Sequence, residues 1–140
     1  MKYVMLVSHG ELAGGMHSVI KMLAGEREDV LSTSLTSDMG AEQYAENVSR
    51  LIGGISSEDQ IILFADIVGG SPLTGAMNVL DKKGLLDQTV IFGGMNLSMV
   101  LTVVMSQDGI PDETLKREII SSGQEAVKEF CAVPLVDDEI

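Results

Sequence analysis

Positive charge is scarce in this chain of 140 residues: 9 Lys plus Arg stand against 21 Asp plus Glu, a formal net charge of -12. A surface of that sign repels nucleic-acid phosphates and anionic membranes and attracts a partner with a positive face, so a protein partner is expected rather than a polynucleotide. Cysteine is nearly absent. Cys131 stands alone, which excludes an internal disulfide, and between Phe130 and Ala132 it reads as a small buried or edge hydrophobe without a redox role. Long hydrophobic runs are missing too: Gly, Asp or Ser interrupts each one well before the roughly 18 residues that span a bilayer. Lys2 is followed by no cleavable signal pattern, so a cytoplasmic protein without direct membrane insertion is expected. Neither Gly-x-x-x-x-Gly-Lys-Ser/Thr nor the dinucleotide fingerprint occurs, which disfavours nucleotide binding. No internal repeat or linker divides the chain.

What is present is enough for one domain over residues 1–140, since 45% of the residues are hydrophobic. Short apolar runs closed by polar residues or Gly predict strands over Lys2 to Ser8, Val30 to Ser34, Gln60 to Ala65 and Thr89 to Phe92. Helical spacing lies between them. Leu12, Met16, Val19, Ile20 and Leu23 form one stripe, and Tyr44, Ala45, Val48, Leu51 and Ile52 form another. Pro72 suits the first turn of a third helix, Asn96 caps a fourth through Met105, and Pro111-Asp112-Glu113 opens a fifth that runs on to Phe130. The pattern βαβαβαβ predicts an α/β fold: an open, mainly parallel four-stranded sheet with helices on both faces.

In such a sheet ligand chemistry gathers beyond the carboxyl ends of the strands. Three of those ends are polar or glycine-rich: Ser8-His9-Gly10, Asp66-Ile67-Val68-Gly69-Gly70-Ser71-Pro72, and Gly93-Gly94-Met95-Asn96. They are expected to converge. If the first and third strands are neighbours, Asp66 stands near His9, where a carboxylate accepting the Nδ1 proton leaves Nε2 free as a nucleophile. The plainer alternative is that His9 ends a strand and Asp66 caps a loop. Gly69, Gly70 and Ser71 offer amides and a hydroxyl suited to phosphate oxygens, or only a helix start.

These segments resemble the signatures of the EIIA component of the mannose/fructose/sorbose class of the bacterial phosphoenolpyruvate-dependent sugar phosphotransferase system. The resemblance spans most of the chain and includes Gly93-Gly94-Met95-Asn96-Leu97, similar to the Gly-x-Asn-Leu loop of that family. It implies that His9 accepts a phosphoryl group on Nε2 from phospho-HPr and passes it to EIIB, which serves the membrane components EIIC and EIID. Asp66 then orients the imidazole, while Ser71 with Gly10, Gly69 and Gly70 lies near the phosphate. Met95, Asn96 and Leu97 are candidate partner contacts. The resemblance implies no metal and no cofactor. Where relatives often have Thr or Leu after the aspartate, this chain has Ile67, which leaves Ser71 and backbone amides to serve.

His17 reads as a flanking or partly exposed residue, and the nine methionines as mostly core. Glu11 reads as helix-stabilising or partner-contacting. Cys131-Ala132-Val133-Pro134-Leu135 could lie along a sheet edge, and the resemblance implies a homodimer in which a C-terminal strand crosses to the partner's sheet. Two rival readings stay open: a noncatalytic regulatory or protein-binding domain, and a small His-Asp hydrolase, the latter without a nucleophile-elbow pattern around Ser71.

Overall fold

Alternate side chains of a buried strand enter opposite layers, and here that alternation builds two cores. A computed structural model describes residues 1–133. Its elements run β1 Lys2–His9, α1 Leu12–Ala24, β2 Val30–Leu35, α2 Ala41–Leu51, β3 Gln60–Ala65, α3 Ser71–Lys82, β4 Thr89–Phe92, α4 Leu97–Val104 and α5 Asp112–Glu125, with a short 3-10 turn at Leu86–Gln88. Val4 and Leu6 of β1 with Ile62 and Phe64 of β3 face α1, α4 and α5. Met5 and Val7, with Ile61, Leu63 and Ala65, face α2 and α3. Each fully buried Leu, Ile, Val, Phe or Met contributes about 1.5–3 kcal/mol, so both layers stabilise the sheet.

All strand pairs are parallel, in the order β2-β1-β3-β4. The connection after β1 leads to one side of it and β3 lies on the other, so the topological switch point falls between β1 and β3. The α/β architecture is the expected one. Among the described residues no helix is long and apolar enough to cross a membrane.

Three expectations need correction. The sheet-facing stripe of α1 is Ala13, Met16, Ile20 and Ala24, whereas Leu12 and Leu23 are about half exposed. The larger apolar side chains suggested the wrong phase because small Ala13 and Ala24 let the helix approach the sheet. The fifth helix stops at Glu125 rather than Phe130: Leu115, Ile119 and Gly123 face the core, but the next residue on that stripe, Val127, finds no cover. Cys131 is exposed, not buried, and residues 131–133 form no strand. Pro134 and Leu135, the rest of the expected edge strand, lie outside the described residues. The methionines are mixed, with Met5, Met95 and Met99 buried and Met22 and Met105 exposed.

Candidate functional site

The β1 strand carries one residue more than expected, and that residue is His9, in register with Leu35 of β2. Gly10 then turns the chain with φ 60°, a left-handed conformation suited to glycine, and its N–H donates to the Leu35 carbonyl at 2.9 Å. Beneath it Ser8 is fully buried, and its Oγ accepts the Ala13 N–H at 2.7 Å, anchoring the start of α1. Glu11 occupies the N-cap position but makes no side-chain capping bond. Ser8 supplies that anchor instead.

Across the switch point, β3 ends at Ala65 beside Val7, and Asp66 follows. Asp66 Oδ2 accepts both the backbone N–H of His9 at 3.0 Å and a hydrogen bond from His9 Nδ1 at 2.8 Å. Its Oδ1 accepts the Ile67 N–H at 3.0 Å. Burial works to raise the Asp66 pKa, but these bonds outweigh it and hold the carboxyl below its ordinary value. An ionised carboxylate only accepts, so Nδ1 carries the proton and Nε2 of the neutral ring carries the lone pair. The His9 side chain is 48% exposed and that of Asp66 14%, an accessible imidazole on a sheltered carboxylate.

Gly70 lies against the imidazole. A Cβ built on it would sit 2.9 Å from His9 Cε1 and 3.1 Å from Ile67 Cγ1, so a side chain here displaces the ring. Gly69 has φ 85°. Ser71 opens α3 and is exposed, with Pro72 following in the first turn, where its missing N–H costs no helical bond. The third loop joins them: the Met95 N–H donates to the Ala65 carbonyl at 3.0 Å, and the Val68 side chain fills the space beside Gly93 where a Cβ would stand. The three glycine-rich strand ends therefore converge.

Met95, Asn96 and Leu97 do internal work in this arrangement. Met95 is buried and Leu97 packs against the same core. Asn96 Oδ1 accepts the Met99 N–H at 3.1 Å, and its Nδ2 donates to the Gly123 carbonyl at 3.1 Å, tying α4 to α5. On the rim the apolar side chains of Leu12, Ile67 and Val68 are exposed, the last 77%, where periodicity placed Leu12 against the sheet. Burying them against a partner removes apolar surface from water, a signal that only their exposure reveals.

Beside His9, Gly10 and Glu11 a concavity of about 560 Å³ is bounded by Leu35, Thr36, Ser37 and Met39. A larger open groove of about 750 Å³ runs between α4 and α5, lined by Ser98, Thr102, Arg117 and Lys128 among others, apart from the His-Asp pair. His17, two turns along α1, is half-buried with Nδ1 2.7 Å from Ser32 Oγ, a link from α1 to β2. Burial, aided by Lys21, lowers its pKa. Among the described residues no group of three His, Cys, Asp or Glu side chains is placed to hold a metal ion.

Known proteins share this plan. The family model described as PTS system fructose IIA component (EIIA-man) matches residues 3–120. The chain is 24% identical over 133 residues to the PTS system mannose-specific EIIAB component of Escherichia coli strain K12, a match covering 94% of this chain but 40% of that protein. It is 25% identical over 133 residues to the PTS system sorbose-specific EIIA component of Klebsiella pneumoniae, covering 95% of this chain and 91% of that one. In fold it is similar to the mannose/sorbose specific IIA subunit of the phosphotransferase system from Enterococcus faecalis, with a TM-score of 0.78, 24% identity, and 97% of this chain and 100% of that one covered. With more than half of its length matched by the family model, the chain belongs to the EIIA family of the mannose/fructose class of the sugar phosphotransferase system.

Proposed function

We propose that this protein is a phosphoryl carrier that accepts a phosphoryl group on His9 Nε2 from phospho-HPr and passes it to EIIB during coupled sugar uptake and phosphorylation. The observation that carries this reading is the 2.8 Å contact between His9 Nδ1 and Asp66 Oδ2 at the switch point of the sheet, in a chain of the EIIA family. The Nε2 lone pair attacks phosphorus and forms the new P–N bond. The bond to the donor imidazole breaks, and its electron pair leaves with the donor nitrogen. His9 thereby gains positive charge, which Asp66 stabilises while keeping the Nδ1 proton. No proton needs to leave the ring.

A phosphohistidine P–N bond is labile, so catalysis rests on alignment of the two nitrogens and on neutralising the shared oxygens. The Gly69, Gly70 and Ser71 segment at the start of α3, and Gly10 before α1, are the proposed source of donors for those oxygens; a helix amide end contributes ~0.3–1 kcal/mol to an exposed anion. The exposed Ile67 and Val68 suit an apolar contact with the donor protein. The protein acts in the cytoplasm in this reading and reaches the membrane components through EIIB.

Intact-mass measurement after incubation with phosphoenolpyruvate, the general phosphotransferase enzyme and HPr separates the readings. One acid-labile, base-stable phosphoryl group, lost in His9→Ala and kept in His17→Ala, is the expected result. Persistent labelling of His9→Ala contradicts the assignment, an unlabelled protein favours the noncatalytic binding domain, and hydrolysis of a small ester favours the hydrolase.

A further inference from the structure

The phosphoryl-transfer reading leaves one polar contact behind the site without a role: the hydroxyl of Tyr44. Tyr44 belongs to α2, in the layer opposite α1, and its ring is 2% exposed. The hydroxyl donates to the Pro72 carbonyl at 2.7 Å, across 28 residues of chain, in the first turn of α3. The ring lies flat enough on that helix for a Cβ at Gly75 to meet Tyr44 Cε2 at 3.0 Å. Pro72 follows Gly70 and Ser71 directly, and Gly70 is the residue in contact with the His9 ring.

We infer that Tyr44 is a positioning residue for phosphoryl transfer: its hydroxyl bond to Pro72 fixes where the first turn of α3 sits, and through Gly70 and Ser71 it sets the groups that face the phosphohistidine. The inference rests on His9 being the phosphoryl acceptor. Two features favour a positioning role over simple core filling. The apolar work of this site needs only the ring, since Phe would fill the same space, so the hydroxyl is the part that reaches the functional loop. Burial, with the Asp66 carboxylate nearby, raises the phenol pKa, so the group stays protonated and keeps donating. A backbone segment that begins with two glycines before Ser71 has little stiffness of its own, and an external hydrogen bond compensates for that freedom.

Tyr44→Phe tests this, with Val48→Ala as the comparison, because Val48 is a fully buried residue of the same helix that makes no bond to α3's first turn. Both variants and the unaltered protein are followed by rapid quench across a range of phospho-HPr concentrations, and their thermal unfolding is recorded. The expected result is a limiting transfer rate ~3- to 10-fold lower in Tyr44→Phe with half-saturation changed less than ~2-fold, as for a small misplacement of aligned groups. Val48→Ala lowers the unfolding temperature and leaves the limiting rate unchanged. A Tyr44→Phe rate equal to the unaltered protein, or rates in both variants that fall in step with lost stability, overturns the inference. Failure of the unaltered protein to take any label overturns the phosphoryl reading itself, and this inference with it; a labelled protein indifferent to Tyr44→Phe overturns the inference alone.

Discussion

At the scale of single residues, the site is a matter of which atom holds a proton. Asp66 Oδ2 accepts from both the backbone and the ring of His9 while Oδ1 accepts the Ile67 N–H, so the amide of Asp66→Asn cannot accept all three bonds. With the amide oxygen in the Oδ2 place both His9 bonds survive but the N–H₂ meets the Ile67 N–H, donor to donor; flipped to relieve that clash, the amide presents a donor to His9, and in either pose the negative charge is lost. Asp66→Asn is therefore expected to fold and to transfer phosphoryl groups roughly 10²-fold more slowly, by rapid quench from phospho-HPr, from lost orientation and charge support. An unaltered rate removes Asp66 from the mechanism. The meeting of His9 with Asp66 and with the Gly70 segment was legible in the sequence because each sits at the end of an apolar run or just beyond one. Tyr44 was not. Its spacing fits a helix stripe, and nothing local shows that its hydroxyl reaches a carbonyl 28 residues away.

At the scale of elements, periodicity located the four strands and five α-helices of the described residues but erred where packing chooses among apolar residues. The Leu12-Val19-Leu23 face of α1 is as regular as the Ala13-Ile20-Ala24 face, and only the sheet's geometry selects the smaller one. His17 shares the chosen side with Met16 and reaches Ser32 on β2. Because its folded pKa is lowered below the ordinary 6.5, the unfolded chain binds the proton more readily. His17 thus adds stability that is complete above the unfolded value and is lost as pH falls through the folded one. Denaturant unfolding at a series of pH values is expected to show a steeper acid-side loss in the unaltered protein than in His17→Gln, beginning near pH 6.5. Equal slopes would mean that His17 titrates alike in both states.

At the scale of the whole molecule, the plan of a parallel sheet with helices on both faces followed from the order of elements, whereas assembly did not. The sheet ends at β4, and among the described residues no strand covers its outer edge. An open edge is a template for pairing, and the C-terminal apolar piece, with Val133 67% exposed, is material for it. The proposal that this chain forms a homodimer through its C-terminal segment predicts twice the chain mass in sedimentation equilibrium, and dissociation or aggregation on truncation before Cys131. A full-length monomer at micromolar concentration contradicts it. Sequence could not decide this because an edge strand reads the same whether its partner belongs to one copy or another.

The central claim is that His9 is phosphorylated on the ring nitrogen that Asp66 leaves free. Heteronuclear nitrogen and phosphorus NMR of the protein phosphorylated through HPr tests it most directly, because it reports both the residue and the atom. The account predicts one phosphorus bonded to Nε2 of His9, with the proton on Nδ1 retained; phosphorus on Nδ1 of His9, or on any other residue, contradicts it.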